Sequence, residues 1–127
     1  MSGKREIACG VDVHKRFIIA TILSTDGLKL QDRFETNLEE LLRFKDWLKH
    51  NVCHKVAVES TANYWLPIYS ILEGSVNFIL ANAYQIKHIP GRKTDTLDSE
   101  WIAELCLKNL ISTSRIFPRD RRELRSL

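Results

Sequence analysis

The sequence predicts an α/β protein with a mixed five-stranded sheet and helices on both faces. Three observations carry this. Three β-patterned runs open the chain, joined by short turns, as in an antiparallel meander. Strand and helix patterns then alternate, which calls for parallel strands linked by crossovers. The run 17–23 is apolar on both faces, as a central strand of a covered sheet would be.

The elements follow in order. "IACGVDV" (7–13) alternates, with Ile7, Cys9, Val11 and Val13 on one face and Ala8, Gly10 and Asp12 on the other. "HKR" is a turn, "FIIATIL" (17–23) the second strand, "TDG" (25–27) the next turn, and "LKLQDRF" (28–34) a more polar third strand. Asn37 followed by Glu40 resembles a capping box, and Leu38, Leu41, Phe44 and Leu48 form a helical stripe over 38–50. "KVAVE" (55–59) is a short buried strand. A helix over 60–74 follows, with Tyr64, Trp65, Ile68, Ile71 and Leu72 inside, Ser60 and Thr61 at its cap, and Pro67 tolerable only near its first turn. "VNFIL" (76–80) is the fifth strand, 82–88 a short helical segment, and about Asp95 to Lys108 the last full helix. This element order is that of the ribonuclease H-like fold.

Composition bounds the function. The 127 residues suit one domain with one core, and 44% apolar with 28% charged residues is a globular composition. No run approaches the roughly 18 apolar residues of a membrane span, and no signal peptide opens the chain. A soluble, cytoplasmic protein is expected. Three cysteines, with no CxxC pair, argue against a disulfide framework or zinc ribbon. Cys9 and Cys106 read as buried thiols. His50, Cys53 and His54 straddle a helix end and a loop and read as surface residues, with no fourth ligand nearby. The net charge of +3 is weak evidence for nucleic acid, but its distribution is uneven. Arg119, Arg121, Arg122 and Arg125 crowd the end, and Lys87, His88, Arg92 and Lys93 form a second basic cluster.

Four carboxylates occupy unusual places. Asp12 lies near the end of an apolar strand, and Glu59 ends the next buried one. As parallel neighbours these strands would stand about 4.8 Å apart, bringing both acids out at the carboxyl ends, where α/β sheets place their sites. At about 100° per residue, Asp95 and Asp98 fall on the helix side of Ile102, Leu105 and Cys106, while Glu104 and Lys108 form a solvated i,i+4 pair. Both aspartates also suit a helix start, where an acid caps free N–H groups; Asp95 is the expected cap and Asp98 the expected ligand. Acids clustered in this way repel one another unless protonated or neutralised by a cation. Hard oxygen donors suit Mg²⁺ or Mn²⁺, and two such ions about 4 Å apart serve phosphodiester chemistry. Asp12, bridging both ions, would be the most critical ligand. His14 and Lys15, in the turn after Asp12, are candidates for a phosphate contact.

"GVDVHK", "VAVESTANYW" and "IPGRKTDTLDSEWIAEL", in this order, resemble the N-terminal domain of the DEDD transposases. These are insertion-sequence recombinases of the IS-one-ten group, whose catalytic domain is similar to the RuvC Holliday-junction resolvase. The resemblance spans about residues 7 to 118. It implies a RuvC-like catalytic domain over 1–118, with 119–127 beginning a basic helical segment that leads to a C-terminal domain carrying a serine. It also implies that Asp12, Glu59, Asp95 and Asp98 are the metal-binding catalytic acids, holding Mg²⁺ or Mn²⁺ as two ions. DNA, a structured guide RNA and further copies of the chain are the implied partners. Ala62 departs from the glycine common in the family at that turn.

Three other readings stand beside this one. A free-standing junction nuclease would use the same acids. A binding or assembly module would carry them as vestiges. A sugar-kinase-like ATPase half also opens on a strand and "GVD", but it needs Gly-rich phosphate loops, and only five glycines occur here.

Overall fold

A computed structural model describes residues 5–59, 62–82, 86 and 98–111. Five strands form one sheet: β1 (Ile7–Val13), β2 (Phe17–Ser24), β3 (Lys29–Glu35), β4 (Lys55–Glu59) and β5 (Asn77–Ala81). The strand order is β3-β2-β1-β4-β5. The first three strands pair antiparallel, and β4 and β5 add in parallel beside β1. Helices α1 (Leu38–His50), α2 (Leu66–Leu72) and α3 (Ser99–Leu107) cover it. No helix among the described residues is long and apolar enough to cross a membrane.

Alternation along the strands divides the core in two. Cys9, Val11, Val13, Ile18, Ala20, Ile22, Val56 and Val58 pack with Phe34, Phe44, Leu48, Ile68 and Leu72 on the α1 and α2 face. Ala8, Ala57, Ile79 and Ala81 pack with Trp101, Ile102, Leu105 and Cys106 on the α3 face. The three thiols are free and buried, Cys9 and Cys53 in the first core and Cys106 in the second. Burial pushes all three up, Cys53 to about 11 and Cys106 to about 12.

The strands match expectation to within a residue at each end. The helices differ more. The second helix occupies 66–72 rather than 60–74. Residues 62–65 form turns, and Ala62 has φ +48°, a left-handed backbone that no α-helix continues through. Pro67 stands in the first turn, where its missing N–H costs nothing. Tyr64 is consequently exposed rather than inside, and Trp65 is only half-buried. Leu38, the first residue of the helix, also faces outward, while Leu41, Phe44 and Leu48 are buried. Cys53 is inside rather than on the surface, since the chain turns back under α1 at that point; His50 and His54 are exposed as expected. Ser60, Thr61 and most of 82–88 lie outside the described residues.

That turn after α1 has a definite cause. The Val52 N–H donates to the Lys49 carbonyl at 3.1 Å, and the Cys53 N–H to the Leu48 carbonyl at 2.9 Å. This is the Schellman pattern, which places its C′ residue in the left-handed region and favours glycine there. Here that residue is the β-branched Val52, at φ +54° and well exposed. Asn109 fills the same position after α3 at φ +58°, with the same pair of bonds. Left-handed backbone costs a side-chain-bearing residue about 1–2 kcal/mol, partly offset by glycine's greater unfolded freedom. Val52→Gly is therefore expected to stabilise by about 1 kcal/mol, a rise of roughly 4 °C in melting temperature. A thermal melt of the two proteins checks this.

Candidate metal centre

Two rows of residues cross the α3 face of the sheet. In the lower row, registered pairs run Ile79–Ala57–Gly10–Thr21–Gln31. Two residues further toward the carboxyl ends of β1 and β4 lies the upper row. Its registered pairs are Asp12–Ile19–Arg33 on one side and Glu59–Ala81 on the other. The β1–β4 register runs through Val11 and Val58, so the next step sets Asp12 beside Glu59. Parallel neighbours at that step stand about 4.8 Å apart. The lower row is the bed of α3, and the upper row carries two of the predicted acids.

Small residues make the bed close. A Cβ added to Gly10 would lie 2.1 Å from the Ala103 nitrogen and 2.3 Å from the Ser99 oxygen. The α3 backbone thus rests directly on β1, two residues below Asp12. At its amino end the helix is held by polar contacts. The Thr21 and Ser99 hydroxyls hydrogen-bond at 2.7 Å, both fully buried. The Gln31 side-chain amide donates to Thr21 Oγ1 at 2.9 Å and reaches Ser99 Oγ at 3.5 Å. Lys29 pairs with Glu100 at 3.1 Å across the rim.

This seating decides where Asp98 stands. The helix starts at Ser99, not at about Asp95, and Asp98 rather than Asp95 is its N-cap. Its Oδ1 accepts from the Trp101 N–H at 2.8 Å. An extended Asp98 (φ −100°, ψ 165°) satisfies an amide that the first helical turn would otherwise leave open. The expected solvated pair forms, with Lys108 Nζ 3.2 Å from Glu104. Asp95, Arg92, Lys93, Arg119, Arg121, Arg122 and Arg125 lie outside the described residues.

Electrostatics link the two elements. Burial pushes the Asp12 carboxyl above its ordinary 3.8; His14 pulls it down by charge and hydrogen bond, and Asp98 pushes it up. Asp98 thus lies within the range of charge interaction of Asp12. His14 Nε2 stands 3.0 Å from Asp12 Oδ2, and its ring stacks on Phe17 with centroids 4.4 Å apart. Lys15 is exposed at the tip of the same turn. Arg33, at the end of the upper row, lies 3.8 Å over the Phe17 ring and pairs with Glu35. Glu59 is buried, with 5% of its surface exposed.

The structure thus brings Asp12, Glu59 and Asp98 to one end of one sheet face, with His14 on Asp12. Among the described residues, no group of three His, Cys, Asp or Glu side chains stands ready to hold a metal ion. Asp98 Oδ1 serves the helix and Asp12 Oδ2 meets His14, so each of these contacts engages one of the two oxygens of its carboxylate. Sequence reasoning placed Gly10 on the face of Asp12 but missed Thr21, Ser99 and Gln31 as parts of this region. Thr21 was hidden in the apolar run "FIIATIL", though a lone hydroxyl there was a signal that something polar packs on that face.

The comparisons agree with this architecture. No match was found among curated proteins. Among solved structures, the Thermus thermophilus RuvC structure superposes with a TM-score of 0.53 at 14% identity, covering 89% of this chain and 85% of that one. The fowlpox virus Holliday junction resolvase gives a TM-score of 0.45 at 16% identity, covering 60% of each chain. The RuvC likeness shows the ribonuclease H-like fold. A family model described as a transposase, of the DEDD type from IS110 elements, matches residues 9–127. With that match covering nearly all of its length, the chain belongs to the DEDD transposase family of IS110 elements.

Proposed function

We propose that this chain is the catalytic domain of a DNA transposase, and that Asp12, Glu59 and Asp98 hold Mg²⁺ or Mn²⁺ for phosphodiester cleavage and strand transfer. Asp95 is proposed as a fourth ligand. The observation that carries the reading is the placement of Asp12 and Glu59 side by side on the face where Asp98 raises the Asp12 carboxyl. Three hard-oxygen donors on one face, with Asp98 raising Asp12, fit a divalent cation by their chemistry. When bound, such ions activate an attacking oxygen and stabilise the leaving one.

The remaining work falls to the chain itself. β1 and β4 are sheet strands packed on both faces, so they hold Asp12 and Glu59 with little freedom. His14, bonded to Asp12 and stacked on Phe17, fixes the carboxylate's orientation. Burial of Glu59 limits water on the inner side of the site. Lys15 and Arg33 supply positive charge at its outer edge, and His14 a hydrogen-bonding ring, for a phosphate backbone. In the full-length protein we assign a guide RNA, DNA and further copies of the chain as partners, on family membership alone. The basic residues Arg92, Lys93, Arg119, Arg121, Arg122 and Arg125 are proposed contacts to nucleic acid, and 119–127 the start of the connection to a second domain.

Calorimetric titration tests the site. Mn²⁺ is expected to bind the wild type and to bind Asp12→Asn and Glu59→Gln at least tenfold more weakly, the size of loss that even an outer-shell ligand change produces. No saturable binding to the wild type would remove the metal site. Cleavage of four-way-junction DNA by this chain alone would instead assign it to the junction nucleases.

A further inference from the structure

Resting on the metal-site reading above, we infer that Thr21, Ser99 and Gln31 are positioning residues: their hydrogen bonds set where Asp98 stands relative to Asp12. The cluster sits in an otherwise small and apolar bed of Ala8, Gly10, Ala57, Ile79, Ile102 and Ala103. Two buried hydroxyls are a costly way to fill such a bed. Removing them from water offsets most of what their bond returns, and an alanine–valine pair would pack there at less cost. A bond of this kind adds direction instead. Small residues present a smooth surface, over which a helix can slide or rotate with little change in packing. A hydrogen bond loses its strength within a few tenths of an ångström and a few tens of degrees. The 2.7 Å contact between a strand and the first residue of α3 therefore fixes both the height and the rotation of the helix at its amino end.

The position of the contact gives it leverage. Ser99 directly follows Asp98, whose own Oδ1 is tied to the Trp101 N–H, so the carboxylate moves with the first turn. Thr21 pairs with Gly10, two residues below Asp12 on the same face. The cluster thus adjoins Asp98 in the chain and lies one strand pairing and two residues from Asp12. Gln31, from the third strand, bonds both hydroxyls and reads their separation from the side. Cation ligands must sit within about 0.2 Å of their ideal distance, so a helix that can slide by half an ångström would lose affinity without unfolding.

The test is Mn²⁺ affinity of the intact chain, measured by titration well below the melting temperature. Ser99→Ala and Thr21→Val are each expected to weaken Mn²⁺ binding roughly tenfold, as loss of an outer-shell partner does. Thr21→Ser keeps the hydroxyl and should bind within about threefold of the wild type. The double variant Thr21→Val/Ser99→Ala should be no weaker than either single one, because both remove the same bond. Unchanged Mn²⁺ affinity in Ser99→Ala and Thr21→Val, with only the melting temperature shifted, would overturn the inference and leave the cluster as packing. If those variants bind normally while Asp12→Asn does not, the metal site stands and the positioning role alone falls. If the wild type binds no Mn²⁺, both fall together.

Discussion

Gly10→Ala is expected to lower stability by about 3 kcal/mol or more, roughly 10 °C in melting temperature. The added methyl would stand 2.1 Å and 2.3 Å from backbone atoms of Ala103 and Ser99. A side-chain neighbour can rotate away; a helix backbone cannot. The helix must lift as a body, and lifting it breaks the Thr21–Ser99 bond and opens voids around Ile102 and Leu105. The reason for glycine here is space, not conformation, since β1 is ordinary extended strand at this point. Alanine should therefore do more damage than its size suggests, and valine more again. A thermal or denaturant melt of Gly10→Ala checks the figure. A loss under about 1 kcal/mol would mean that α3 does not rest on β1 as described.

Asp12→Asn should raise the melting temperature of the metal-free protein, and a divalent cation should reverse the order. The sign follows from the carboxyl's position above its ordinary range, caused first by burial and then by Asp98, against the opposing pull of His14. A carboxylate raised on folding ionises more easily in the unfolded chain. Its cost to stability is absent at pH below its ordinary value. That cost grows as pH rises from the ordinary value through the folded value. The amide carries no such cost and can still face His14. With cation at about a hundred times its dissociation constant, the wild type gains about 2.7 kcal/mol, roughly 10 °C, which the variant lacks. Melts at pH 7 in chelator and in excess Mn²⁺ give both halves of the result. A wild type that melts above Asp12→Asn in chelator would contradict the electrostatic account.

Much of this was legible in the sequence because periodicity records which face is buried. Ile7, Cys9, Val11 and Val13 against Ala8, Gly10 and Asp12 gave the two faces of β1 directly, and so the side on which Asp12 emerges. The same reading placed Glu59, and helix phase placed Ile102, Leu105 and Cys106 inward. What failed were the starts of the second and third helices; that of α1, marked by Asn37 and Glu40, stands where expected. Those depend on caps and on single backbone angles, which a run of residues does not display. Ala62 carries no mark that its φ is +48°, and so the second helix was begun six residues too early. Either aspartate of "TDTLD" can cap a helix, and only the seating of Ser99 on Thr21 selects Asp98. The bed of α3 was unreadable for another reason. It is a row across five strands, and neighbours in that row lie ten to many tens of residues apart in the chain.

The three buried thiols provide a reporter of how this architecture comes apart. Because Cys9 and Cys53 belong to the core under α1 and α2 while Cys106 belongs to the core under α3, the sheet separates them into two compartments. Burial also keeps all three protonated and slow to react at neutral pH. An alkylating reagent consequently sees each sulfur only when its own layer opens. Modification of Cys106 times the detachment of the helix that carries Asp98, and modification of Cys9 and Cys53 times the opening of the opposite layer. The unmodified chain thus carries a two-channel clock, able to tell whether the site helix breathes on its own or only when the whole molecule unfolds.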